Sequence, residues 1–163
     1  MEALSGAQPQ LNNVLFFISF APSHKGGVFF TTDIDAKIIK NSNDTTEILR
    51  QVFDKDEINI YECFYILLLN HSLKVQGYAK ISQGGLSQTT ADARLIAKYA
   101  IDSLASNVVL AHNHPSGSLT PSQADRTLTH KIEKALELLE IKVIDHIIIT
   151  DNDYYSFADG GLL

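Results

Sequence analysis

The chain has 163 residues, 45% hydrophobic and 20% charged, with a formal net charge of −6. That is enough for one domain whose core needs no disulfide or structural metal, and no apolar run reaches the roughly 18 residues a membrane span requires. The acidic balance offers a phosphate backbone no general attraction and Lys and Arg form no cluster, so no autonomous nucleic-acid binding is expected.

In chain order, "MEALSGAQPQLNN" carries Glu2 and no basic residue. The apolar "VLFFISFA" behind it therefore lacks the charged flank of a secretory signal, and a cytoplasmic location is expected. Residues 1–13 read as a flexible tail. Residues 14–40 read as short strands or a partly ordered extension, because "VLFFISF", "GGVFFTT" and "AKIIK" are broken by Pro22, Gly26 and Gly27. The domain proper is expected over 41–163. In "NSNDTTEILRQVF", Asp44 followed by Glu47 predicts a capping box, and Ile48, Val52 and Phe53 form a helical stripe.

"ECFYILLLN" (62–70) is nearly continuous in apolarity, as a central strand covered on both faces must be, and "LKVQGYAKIS" (73–82) alternates, with "NHS" as the hairpin turn between them. Cys63, the one cysteine, reads as a buried small hydrophobe in a reducing compartment. After the loop "SQGGLSQTT", the stretch "ADARLIAKYAIDSLA" (91–105) places Leu95, Ile96, Tyr99, Ala100 and Leu104 on one helical face. There follow a buried strand "NVVLAHN", a loop "HPSGSLTP", a long amphipathic helix over "SQADRTLTHKIEKALELLE", a strand "KVIDHIIIT", a turn "DND" and a short strand "YYSF". No repeat or linker interrupts this order. The predicted class is α/β (α+β), one mixed sheet sandwiched by helices, with a helix before and a helix after the His-bearing strand.

Chemistry concentrates where that strand ends. Residues two apart on a strand point to the same side, so His112 and His114 present both imidazoles to one point. Zinc ligands sit about 2.0 to 2.2 Å from the ion and converge tetrahedrally, so a third must come from another element. Asp125 is the natural candidate, since the loop stiffened by Pro115 and Pro121, with Gly117 inside it, leads into a helix whose first turn contains it. Two His and one carboxylate leave the fourth position to water, the open coordination of a catalytic zinc. Taken singly, Ser122-x-x-Asp125 is a helix cap and His-x-His a solvated pair. Joined at the end of an apolar strand, they point to metal. Glu62 is odd as well, because a carboxylate leading so apolar a strand lies either at its exposed edge or in a site.

His112-Asn113-His114-Pro115-Ser116-Gly117 followed by Pro121-Ser122-Gln123-Ala124-Asp125 resembles the JAMM (MPN+) metalloprotease signature in its RadC-like form. The resemblance runs from about Asp44 to the C-terminus through "LLLN", "ISQGGLSQT", "IKVIDHIIIT" and "YYSFADGGLL". It implies a cytidine-deaminase-like fold with one zinc per chain, and it sets the family's upstream glutamate on Glu62. In that reading Glu62 takes a proton from the zinc-activated water and passes it to the leaving amine, while the Ser122 hydroxyl donates to the oxyanion. Many relatives carry a helix-hairpin-helix region and a Pro-Arg-Glu segment. The first 60 residues here show no such region, and the chain reads "ADARLIA" in place of the segment.

His146 in "VIDHIII" reads as a hydrogen-bonded core histidine or as one orienting a zinc ligand, with Asp145 as its partner. His130 reads as solvated surface, and His24 and His71 as loop residues. Gly160-Gly161 reads as a turn before "LL" rather than a self-processing tail. Other zinc classes fit worse: Ser116-Gly117 cannot complete a His-x-His-x-Asp-His motif, a barrel hydrolase needs about 250 residues, and a deaminase needs a Pro-Cys-x-x-Cys pair. The expected function is a zinc-dependent metallohydrolase acting on a protein, peptide, isopeptide or small amide. The alternatives are a DNA-repair-associated or protein-binding module with a structural metal, and an acidic scaffold without one. "YYSF" or "VFFTT" leaves pairing into a homodimer open.

Overall fold

A computed structural model of the chain describes residues 28–30, 37–84 and 91–163. Its elements are β1 (Val28–Phe30), α1 (Ser42–Val52), β2 (Cys63–Leu69), β3 (Val75–Gln83), α2 (Ala93–Asp102), β4 (Asn107–Asn113), α3 (Gln123–Glu137), β5 (Lys142–Ile149) and β6 (Tyr154–Ser156). The six strands form one sheet in the order β1-β3-β2-β4-β5-β6. All pairings are antiparallel except β4 with β5, so the sheet is mixed, as expected.

Alternation along the central strands sends apolar side chains to both faces. Cys63, Tyr65, Leu67 and Leu69 of β2 pack with Ile48, Leu49 and Val52 of α1. Phe64, Ile66 and Leu68 pack with Ile96, Tyr99 and Ala100 of α2 and with Ile132 and Leu136 of α3. The result is the predicted sandwich, with β2 and β4 buried along their whole length. Cys63 is buried and free. No described helix is long and apolar enough to cross a membrane.

Two parallel neighbours cannot be joined by a tight turn, so a crossover must separate β4 from β5. That crossover is α3. The carboxyl end of β4 and the amino end of α3 therefore meet at one end of the strands. Between Val108 and Val109 the register skips Ile144, passing from Val108 opposite Val143 to Val109 opposite Asp145, a bulge in β5.

Some boundaries differ from expectation. Helix α1 starts three residues earlier than a cap at Asp44 implies. Asn41 is its cap, its side chain accepting from Asp44 N at 2.9 Å, while Asp44 Oδ2 accepts from Lys40 N at 3.0 Å. Asparagine is as good a cap as aspartate, and here its amide oxygen takes the Asp44 N–H. Phe53 lies just past the helix end, yet is buried. Leu104 is not on the α2 stripe: the helix stops at Asp102, and Leu104, at φ 53°, is 84% exposed. Helix α3 ends at Glu137, which leaves Leu138 87% exposed. The "NHS" turn is present, Leu73 N donating to Asn70 O at 3.0 Å. Of the N-terminal stretches, "VFF" forms β1 against β3 and Ile38 bridges Lys74. The expected tail 1–13, "VLFFISF", His24 and most of the "SQGGLSQTT" loop lie outside the described residues.

Ile132 is fully buried between α3 and the sheet. Ile132→Ala should lower stability by about 2 to 5 kcal/mol, read as a shift in the urea unfolding midpoint at unchanged slope.

Candidate metal centre

At the end of β4 the chain must turn sharply toward α3. Pro115 occupies the second position of that turn and Gly117, at φ 76°, its last, where the Gly117 N–H donates to His114 O at 2.9 Å. The loop then folds back, so that His114 Nδ1 lies 2.7 Å from Ser118 O. A carbonyl can only accept, so Nδ1 carries the hydrogen and His114 Nε2 is left bare. At the start of α3, Ser122 and Asp125 form a reciprocal capping box. The Ser122 hydroxyl accepts from Asp125 N at 3.1 Å and donates to Asp125 Oδ2 at 2.6 Å, and the Ser122 N–H donates to that same oxygen at 2.7 Å. The cap thus fixes the carboxylate in place.

These elements bring His112, His114 and Asp125 together, with one potential ligand atom from each lying within 4.8 Å of the others. His112 Nε2 is 2.9 Å from His114 Nε2 and 3.3 Å from Asp125 Oδ1, and His114 Nε2 is 3.8 Å from Asp125 Oδ2. Ligands about 2.0 to 2.1 Å from a tetrahedral ion stand about 3.3 to 3.4 Å apart, and the three separations straddle that value. Burial pushes the Asp125 carboxyl up, but the His112 ring and the Ser122 donors outweigh it and hold it well below the usual carboxylate range. The residues fit a divalent cation: a bare imidazole nitrogen, a second imidazole and an ionised carboxylate converge on one point.

His146 lies behind this group and is fully buried. Its Nε2 is 2.8 Å from His112 Nδ1 and its Nδ1 is 2.6 Å from Thr129 Oγ1. Phe157 stacks on the ring with centroids 4.6 Å apart. Burial first, then the neighbouring imidazoles, push the His146 pKa well below its ordinary value, so the ring is neutral. The expected partnership with Asp145 does not form through the ring. Successive strand residues face opposite sides, and the Asp145 carboxylate instead accepts from Ser156 Oγ at 2.7 Å, Ala158 N at 3.1 Å and the backbone N–H of His146 at 2.7 Å.

Glu62 directly precedes β2 and is half-buried, with its carbonyl accepting from Gly84 N at 2.8 Å. Phe64 pairs with His112, so continuing that register by two residues sets Glu62 opposite His114 on the same face. Its carboxylate is not among the three converging groups. His130 is on the exposed side of α3, its Nδ1 3.4 Å from Glu133, and His71 is exposed. Gly160 and Gly161 lie in a turn.

Sequence reasoning passed over Asn113, the middle residue of His-x-His. Its side chain faces away from both ligands and is wholly buried. The amide oxygen accepts from Cys63 N at 2.7 Å, and the amide nitrogen donates to Ile58 O at 2.6 Å and Tyr61 O at 2.7 Å. One side chain therefore holds the backbone on both sides of Glu62. The available signal was a polar residue on the apolar α1 face of a buried strand.

A family model described as RadC-like JAB domain matches residues 39–162. A UPF0758 protein of Flavobacterium johnsoniae is 43% identical over 126 residues, covering 77% of this chain and 54% of the relative. A UPF0758 protein of Porphyromonas gingivalis is 50% identical over 103 residues, covering 63% and 45%. UPF0758 protein YfjY of Escherichia coli is 43% identical over 102 residues, covering 63% and 64%. The chain thus spans about half the length of the first two relatives, and none of these names states a reaction.

Asn113→Ala would strand three backbone groups, at about 1 to 3 kcal/mol for each buried one. The expected loss is about 3 kcal/mol or more, with faster hydrogen exchange at the Cys63 amide. Burial raises the Asp145 carboxyl above its ordinary value against the bonds from Ser156, Ala158 and His146. The folded state therefore holds that proton more tightly than the unfolded one, and the stability it contributes is complete below the unfolded pKa and lost as pH rises through the folded pKa. Asp145→Asn should flatten that part of the profile, seen by comparing unfolding midpoints between about pH 4 and about pH 7.

Proposed function

Because the chain belongs to the RadC-like JAB domain family, we propose that it is a zinc-dependent metallohydrolase of the JAMM type, cleaving a peptide, isopeptide or small amide bond. The observation that carries this reading is the convergence of His112, His114 and Asp125 on one point. Three protein ligands of this kind leave a fourth position for water, whereas structural zinc sites close with four. A non-catalytic module with a structural metal has no use for that opening.

What a zinc ion supplies there is Lewis acidity: a water acidified to a pKa of about 7 and a polarised amide carbonyl. The chain's own residues do the rest. Glu62, on the His114 side of the sheet end, takes the proton of the attacking water as the oxygen bonds to the carbonyl carbon, then delivers it to the nitrogen as the C–N bond breaks. The Ser122 hydroxyl turns from Asp125 toward the oxygen that gains charge. The cap survives that turn through the Ser122 N–H, which also donates to Asp125. The Ser122 N–H, donating to Asp125 Oδ2, favours the anionic form of that carboxylate.

Elemental analysis of the dialysed protein should find about one zinc per chain, lost in His112→Ala and Asp125→Ala. Glu62→Gln should keep the zinc and lose about 10²- to 10⁴-fold in turnover on isopeptide-linked peptides or small amides. Unchanged turnover in that variant would remove Glu62 from the mechanism. Protein without zinc after the metal is offered under reducing conditions would sink the hydrolase reading.

A further inference from the structure

The two ligand imidazoles stand close enough, 2.9 Å between their Nε2 atoms, to satisfy one another. His114 Nε2 is bare, because its Nδ1 hydrogen goes to Ser118 O. If His112 carried its hydrogen on Nε2, it would donate it to His114 or to Asp125 Oδ1, 3.3 Å away, and that nitrogen would have no lone pair left for a metal. If the hydrogen sits on Nδ1, both Nε2 lone pairs face the site. Which form exists is decided behind His112, along a chain of hydrogen bonds that ends in a single hydroxyl.

That chain runs from His112 Nδ1 to His146 Nε2 at 2.8 Å, and from His146 Nδ1 to Thr129 Oγ1 at 2.6 Å. Thr129 Oγ1 also lies 2.6 Å from Asp125 O, a carbonyl that can only accept. The hydroxyl has one hydrogen. Given to Asp125 O, it leaves Thr129 an acceptor, so His146 donates from Nδ1, accepts at Nε2, and takes the hydrogen of His112 Nδ1. Given to His146, it reverses every bond and puts the His112 hydrogen into the metal site. Only the first direction satisfies both contacts of the hydroxyl. Thr129, His112 and His146 are buried, so water does not substitute freely for a lost partner.

We propose that Thr129 is a positioning residue that, through His146, holds His112 as the Nδ1–H tautomer and keeps its Nε2 lone pair open to metal. This rests on the metal reading of the site and deepens it. The hydroxyl belongs to the helix that carries the third ligand, and its hydrogen goes to the carbonyl of that ligand's own residue. A single group therefore ties α3 to β5 and sets the donor atom offered by β4.

The test measures zinc affinity of the full chain by competition with a chromophoric chelator, alongside the unfolding midpoint of each metal-free protein. Thr129→Val keeps the shape and removes the hydroxyl, and it should bind zinc about 10- to 100-fold more weakly with its metal-free fold intact. Thr129→Ser restores the hydroxyl and should recover the wild-type affinity. His146→Phe keeps a ring against Phe157 without nitrogens and should lose as much as Thr129→Val, the two together losing no more than either alone. Long-range ¹H–¹⁵N spectra should show His146 protonated at Nδ1 in the wild type and mixed in Thr129→Val. Wild-type affinity in Thr129→Val, or no recovery in Thr129→Ser, overturns the proposal while leaving the metal site standing. A wild-type chain that binds no zinc overturns both.

Discussion

Everything at the site depends on β4 and β5 lying parallel side by side. An antiparallel neighbour could have been reached by a hairpin, but a parallel one forces the chain across the sheet. The crossover helix α3 then brings its amino end back to the point where β4 releases the two histidines. Asp125 reaches them because it is in the first turn of that helix, and the Ser122 cap decides which way its carboxylate points. The cap and the candidate ligand are one piece of local structure, so the two readings of Ser122-x-x-Asp125 are compatible.

Around the candidate ligands, Asn113, Asp145 and His146 find hydrogen-bond partners within the protein. Asn113 fills its amide with three backbone partners, Asp145 takes three donors, and the His146 ring is bonded at both nitrogens. In a low-dielectric interior each lost partner would be costly, so the arrangement has few alternatives of similar energy. Those bonds also join elements far apart in sequence: Asn113 fastens β4 to residues 58–63, and Asp145 fastens β5 to the C-terminal turn. The rigidity a metal centre needs is thus distributed over both layers of the sandwich.

The parts of this molecule legible in the sequence are those with a strong period or a strong local chemistry. The runs "CFYILLL" and "NVVLAHN" read as strands buried on both faces, and His-x-His at the end of one, followed by Ser-x-x-Asp, points to a shared site. What escaped is of two kinds. The α1 cap went to Asn41 rather than Asp44, and Leu104 fell beyond α2, because helix ends are settled by one or two hydrogen bonds that periodicity does not weigh. Asn113, Thr129 and the true partners of His146 escaped because they depend on facing across strands. Asn113 was hidden between two more conspicuous residues, and Thr129 looked like any threonine in an amphipathic helix.

The bulge in β5 has a consequence for the charge of the centre. Continued straight from Val108 opposite Val143, the register would set Asp145 opposite Leu110 and His146 opposite Ala111. Parallel partners share a face, so a carboxylate rather than an imidazole would then lie behind His112. The skipped residue shifts the strand by one step and exchanges them. With a neutral His146 there, Asp125 is the one formal anion facing the metal position among these groups, and a divalent cation would leave the cluster with a net charge of about +1. The charge behind His112 is in this sense a matter of strand phase as well as of residue type, set by which of Asp145 and His146 the bulge turns toward that imidazole.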